Sequence, residues 1–131
     1  MSDAESGQAE STQRLKGRCV LIVEDEYFLA NDLQRGFEQV GINILGPVPS
    51  LAQALALAQE KSVDGAVLDI QLDGDKVYDV ADALIERDVP ILFVTGYDRS
   101  DIPSRYTDVA ICQKPVGADE VIAALARIVV K

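Results

Sequence analysis

Five short apolar runs, at 19–23, 42–48, 65–68, 91–94 and 109–112, alternate along this chain with segments whose apolar residues recur at helical spacing. The runs are rich in Val, Ile and Leu and are bounded by Gly, Pro or acids, so they read as strands. They are nearly continuous rather than alternating, which places them in a parallel sheet covered on both faces. Between them the period becomes that of a helix. Leu29, Leu33, Phe37 and Val40 share one face; Leu51, Leu55 and Ala58 share another, with Ser50 as N-cap. Val77, Val80, Ala81, Leu84 and Ile85 form a third stripe, and Val121, Leu125, Ile128 and Val129 a fourth. Gly41 and Gly117 stand beside helix boundaries, where glycine is expected. The weak stretch is 97–106, which is polar and contains Pro103, so a helix there is short or frayed. A strand–helix unit repeated five times implies an α/β fold, an open, mostly parallel sheet with helices on both faces. Such sheets place their sites in the crevice beyond the carboxyl ends of the strands.

The chain has 131 residues, enough for one domain, and 48% of them are apolar, ample for a core. Residues 1–17 are small and polar without hydrophobic period and read as a disordered tail; residues 18–131 read as the domain. A net charge of −10 argues against nucleic acid and against anionic membranes. No apolar run approaches the ~20 residues that span a bilayer, and no secretory leader is visible, so a cytoplasmic location is expected. Cys19 and Cys112 lie in strand-like runs and make no CxxC, so they read as buried free thiols. Histidine is absent. That excludes Ser-His and Cys-His catalysis, His-ligated zinc and a phosphohistidine on this chain.

The polar residues at the strand ends form a pattern. Glu24, Asp25 and Glu26 follow the first run, Asp69 the third, Thr95 the fourth and Lys114 the fifth. Taken singly, each is an ordinary loop, cap or turn residue. Together they would meet at one edge of the sheet. Two carboxylates ~4 Å apart repel by ~4 kcal/mol at an effective dielectric of ~20. Three stay ionised only if cations compensate or a pKa rises. Lys114 supplies one positive charge, and a hard divalent cation is the natural remainder. Mg²⁺ uses one or two carboxylates and keeps positions for a phosphate oxygen. This outlines phosphoryl transfer to a carboxylate, with Asp69 on the central strand as nucleophile and Asp25, with Glu24, as metal ligands. Two other motifs fail on inspection. An EF-hand loop starting at Asp69 would need Glu at its last position, which is Val80. Gly41 and Gly46 have P-loop spacing, but Pro47-Val48 stands where Lys-Ser/Thr is required. The acids of Asp73-Gly74-Asp75 read as turn residues.

LIVEDE (21–26), VLDIQL (67–72), FVTGY (93–97) and QKP (113–115) resemble, in order and spacing, the receiver domains of two-component response regulators. The resemblance covers about residues 18–131. It implies a flavodoxin-like (βα)₅ doubly wound sheet with strand order 2-1-3-4-5, a common doubly wound order in which this family shares. It implies that Asp69 is the phosphoacceptor, that Asp25 ligates Mg²⁺ directly and Glu24 directly or through water, and that the backbone carbonyl of Gln71 completes the protein's ligands. Thr95 would be the switch hydroxyl, and Lys114 would contact the phosphoryl group. The FVTGY run is similar to the alphaproteobacterial stand-alone receivers called FAT GUY. Two positions depart from the usual receiver pattern: Ile111 stands where most members carry the switch aromatic, and Val116 where many carry Phe. Tyr97 either takes over part of the switch or is an ordinary half-buried loop aromatic.

The expected function is that of a single-domain response regulator. A sensor histidine kinase or histidine phosphotransferase donates to Asp69, and the protein signals by contact with a downstream partner or acts as a phosphate sink. It is expected to be a self-catalysing phosphoacceptor rather than an enzyme. The partner surface implied by the family is strand five, the segment after strand four and the last helix. One alternative is a phosphorylation-independent binding module on the same fold. Another is an aspartyl-phosphate hydrolase, which would instead carry DxD after its first strand.

Overall fold

The computed structural model describes residues 12–129. A five-stranded parallel sheet has the order β2-β1-β3-β6-β7. Its strands are β1 (Cys19–Val23), β2 (Asn43–Val48), β3 (Gly65–Asp69), β6 (Ile91–Thr95) and β7 (Ala110–Gln113). Each agrees with a sequence-predicted run to within one residue at either end. Four helices connect and cover them: α1 (Tyr27–Gln39), α2 (Leu51–Glu60), α3 (Tyr78–Glu86) and α4 (Ala118–Ile128). A small antiparallel hairpin, β4 (Gln71–Leu72) and β5 (Asp75–Lys76), follows β3. Counting only the five strands of the main sheet, this is the expected 2-1-3-4-5 topology and the flavodoxin-like fold.

The period of two along each strand divides the core. Val20 and Ile22 of β1, Val67 of β3 and Leu92 and Val94 of β6 face α1 and α4. Their neighbours Leu21 and Val23, Ala66 and Leu68, and Phe93 face α2 and α3. The central strands β3 and β6 are buried at every residue, as the continuous apolar runs require. Leu29, Leu33 and Phe37 bury the α1 stripe, and Ser50 Oγ caps α2 by accepting from the Gln53 N–H at 3.3 Å. At Gly46 (φ +107°) the β2 backbone comes so close to β1 that a Cβ would lie 2.6 Å from the Ile22 carbonyl oxygen.

Three expectations need correction. Residues 1–11 of the expected tail lie outside the described residues, but Thr12 and Gln13 are helical and Arg14–Gly17 form a turn that buries Leu15 fully in the core. The packed domain therefore begins before Arg18, because one leucine inside a polar stretch is enough to anchor a turn. Ile85, assigned to the buried stripe of α3, is 43% exposed, since the helix rotates Val80, Ala81 and Leu84 inward instead. Cys19 and Cys112 are free but only half-buried, because Cys19 opens β1 and Cys112 lies on the edge strand β7. The stretch after β6, where a short or frayed helix was expected, holds two 3₁₀ turns, Arg99–Asp101 and Ser104–Tyr106, with Pro103 between them.

Candidate functional site

The carboxyl ends of β1, β3, β6 and β7 open onto one pocket, whose walls include Asp25, Asp69, Thr95 and Lys114. Glu24 and Asp69 are 2% and 5% exposed, whereas Asp25 stands at the rim. Lys114, just beyond β7, reaches back across the sheet. Its ammonium lies 3.2 Å from Glu24 Oε2, 3.2 Å from Asp69 Oδ2 and 3.0 Å from Glu26 Oε2. Its backbone N–H donates to the Thr95 carbonyl at 2.8 Å, which fixes the start of the side chain beside β6. The Lys114–Pro115 peptide is cis. Across the loop, Asp32 Oδ2 on α1 accepts from the Ala118 N–H at 3.0 Å and ties α4 to α1.

Backbone donors orient the acids. The Glu26 N–H donates to Glu24 Oε2 at 3.0 Å, and the Gln71 N–H to Asp69 Oδ1 at 3.3 Å. The Asp73 N–H donates to Asp25 Oδ2 at 2.9 Å, so the β4–β5 hairpin leans on β1's acid. Thr95 is 1% exposed, and its Oγ1 accepts from the Tyr97 N–H at 3.0 Å.

The electrostatics of this cluster are unfavourable without further positive charge. Burial, then the neighbouring Asp69 charge, pushes the Glu24 carboxyl up to about 8. Burial also raises Asp69, against the pull of Lys114 and the Gln71 N–H. Burial alone would lower Lys114, but its bond to Glu26 and the charges of Glu24 and Asp69 outweigh it and hold the ammonium protonated. One carboxylate oxygen from each of Glu24, Asp25 and Asp69 lies within 4.8 Å of the others. Glu24 Oε1 is buried with no hydrogen-bond partner. An orphaned carboxyl oxygen in a set of hard oxygen donors fits a divalent cation such as Mg²⁺, whose charge would favour the ionised form.

All the sequence-predicted site residues come together: Glu24, Asp25, Asp69, Thr95 and Lys114, with Gln71 lining the same pocket. Two contributors were missed. Glu26 was noted as a strand-end acid but not as a partner of Lys114; its position as the last residue of the β1–α1 loop was the available signal. The hairpin was visible only as Asp73-Gly74, whose positive φ angles of 42° and 91° close the turn.

Comparison with known proteins agrees with this geometry. A family model described as the response regulator receiver domain matches residues 20–126. The phyllosphere-induced regulator PhyR of Methylorubrum extorquens is 37% identical over 81 residues, 60% of this chain and 30% of that protein. The transcriptional regulatory protein PdtaR of Mycobacterium tuberculosis is 27% identical over 112 residues, 82% of this chain and 55% of that protein. The chain thus spans about half or less of these curated relatives. The solution structure of SdrG from Sphingomonas melonis Fr1 superposes with a TM-score of 0.74 at 38% identity, covering 86% of this chain and 97% of that one. No helix among the described residues is long and apolar enough to cross a membrane.

Proposed function

The chain belongs to the response regulator receiver family, and on that premise we propose that Asp69 accepts a phosphoryl group from a phosphohistidine on a partner kinase or phosphotransferase. The observation that carries this reading is the buried pair Glu24–Asp69 held at 3.2 Å from the Lys114 ammonium, with Glu24 Oε1 unpartnered. An Asp69 oxygen attacks phosphorus, a P–O bond forms as the P–N bond breaks, and the imidazole leaves with the electron pair. Lys114 faces the charge that arrives with the phosphoryl group, and the Thr95 hydroxyl is available to an equatorial oxygen. Mg²⁺, held by Asp25, Asp69, Glu24 directly or through water, and the Gln71 carbonyl, would supply the remaining neutralisation. None of these 131 residues is a histidine, so the donor phosphohistidine lies outside this sequence. The phosphorylated protein then acts on a downstream partner, or drains phosphate from its kinase, in the cytoplasm.

Intact-protein mass spectrometry tests this directly. Incubation with Mg²⁺ and acetyl phosphate is expected to add one phosphoryl group, which is lost in Asp69→Asn and in excess EDTA. An addition that persists in Asp69→Asn would assign the wrong nucleophile. No addition to the parent would leave a binding module that works without phosphate.

A further inference from the structure

Tyr97 is attached to the site from two directions. Its N–H donates to Thr95 Oγ1, and its hydroxyl donates to Gln71 Oε1 at 2.8 Å. The Lys76 ammonium donates to the same Gln71 oxygen at 2.5 Å and also contacts the Tyr97 hydroxyl. That ammonium lies 4.4 Å from the centre of the Tyr97 ring.

Gln71 is two-sided. Its side chain is held by Tyr97 and Lys76, while its backbone N–H reaches Asp69 Oδ1 at 3.3 Å. That distance is long for an N–H···O bond, whose usual length is about 2.9–3.0 Å. Its strength therefore depends on where the hairpin sits. A hairpin with two residues per strand is not stable on its own. It rests on the buried Leu72, on the Asp73–Asp25 bond and, at its open side, on Tyr97. Ile111 cannot do this work: it has no polar atom in its side chain and packs against the core on the α2 and α3 face.

We propose that Tyr97 is a positioning residue for the phosphoacceptor: through the Gln71 side chain it holds the Gln71 N–H against Asp69. The inference rests on Asp69 as phosphoacceptor and adds a route in both directions. An anionic acceptor binds an N–H roughly twice as strongly as a neutral one. When Asp69 becomes an acyl phosphate, its carboxyl group loses the formal charge that Gln71 met. The hairpin is then released from Asp69, and its hold on Tyr97 carries the change to the segment after β6.

The test uses the full chain labelled with ¹⁵N, without phosphodonor, as parent, Tyr97→Phe, Gln71→Glu and Gln71→Leu. In Tyr97→Phe the ring stays and only the hydroxyl is lost. The expected result is a shifted residue-71 amide whose hydrogen exchange is about fivefold faster, the equivalent of one net hydrogen bond. Gln71→Glu keeps an acceptor for Tyr97 and retains the protection; Gln71→Leu loses it. With acetyl phosphate, Tyr97→Phe is expected to slow phosphorylation about fivefold while the donor concentration giving half-maximal rate stays the same. A Gln71 amide unchanged by Tyr97→Phe overturns the proposal, as does Gln71→Leu behaving like the parent. If the parent takes up no phosphate, the phosphoacceptor reading fails, and the amide comparison still decides whether Tyr97 positions Gln71.

Discussion

On one face of the sheet, α1 and α4 cover the core with side chains that have almost no polar atoms: Leu15, Leu29, Leu33, Phe37, Val121 and Leu125. The two helices approach so closely that a Cβ on Gly36 would lie 2.6 Å from Ala118 Cβ. The opposite face also has its aliphatics, but Tyr78, Phe93 and Tyr106 gather there with ring centres 5.2–6.4 Å apart. Tyr106 is 1% exposed; its hydroxyl donates to Asp82 Oδ1 at 2.5 Å, with the Tyr78 carbonyl at 3.2 Å. Arg105 pairs with Asp82 at 3.2 Å and lies 4.6 Å from the centre of the Tyr106 ring. Arg99 donates to the carbonyls of Tyr106, Thr107 and Val109, which closes the segment on itself. Apolar packing has one best arrangement set by volume, whereas directional bonds can be exchanged for others. The first face is therefore scaffold. The second, which includes Tyr97 and the 3₁₀ turns, is the face where exchangeable bonds are concentrated.

The sharpest way to break that contrast is to damage the scaffold and ask whether the chemistry notices. Phe37 is fully buried, and Phe37→Ala is expected to lower stability by about 3–5 kcal/mol, read from denaturant midpoints. The phosphorylation rate per folded molecule should stay at the parent value; a large fall would make this face part of the machinery. Gly36→Ala is the next test. The added methyl has no room beside Ala118, so overpacking of about 1–3 kcal/mol outweighs the ~1 kcal/mol gained in helix propensity. Adding Ala118→Gly to that variant should recover most of the loss. Failure of this rescue would mean that the close approach of α1 and α4 is not what limits the position.

What could be read from the sequence divides along the same line. The scaffold was legible because it obeys simple periods: the strand bounds were right to within a residue, and Leu29, Leu33 and Phe37 fell on one buried face. The meeting of Glu24, Asp25, Asp69, Thr95 and Lys114 was legible because the topology collects strand-end residues at one edge. On the second face the α2 and α3 stripes were legible in the same way, but its aromatic group was not. Tyr106 sits in a polar stretch with no period, and nothing local reveals that its ring stacks on Tyr78 and that its hydroxyl meets Asp82. Leu15 was lost for the same reason, since one apolar residue makes no pattern. The hairpin bonds from Asp73 to Asp25 and from Tyr97 to Gln71 join residues far apart in the chain, and spacing rules carry no information about them.

The smallest effect tests whether the directional bond at Tyr106 holds the second face. Tyr106→Phe keeps the ring and removes the hydroxyl, so at neutral pH it should lower stability by about 1 kcal/mol. The pH dependence identifies the cause. Burial, and then the bond to Asp82, raises the Tyr106 phenol in the folded protein, while in the unfolded chain it titrates near 10. A raised folded value means the stabilisation is fully present below about pH 10 and is lost as pH rises toward the folded value. The loss is at most about 1.4 kcal/mol per pH unit, and less here because the Asp82–Arg105 pair is half-exposed and screened by water. Tyr106→Phe lacks this dependence. The stability gap between parent and variant should therefore narrow between pH 9 and pH 11 in urea unfolding. A gap that stays constant would show that the phenol titrates no differently when folded. The second face would then be held by ring packing alone, and the contrast between the two faces would shrink to the bonds of Arg99 and Tyr97.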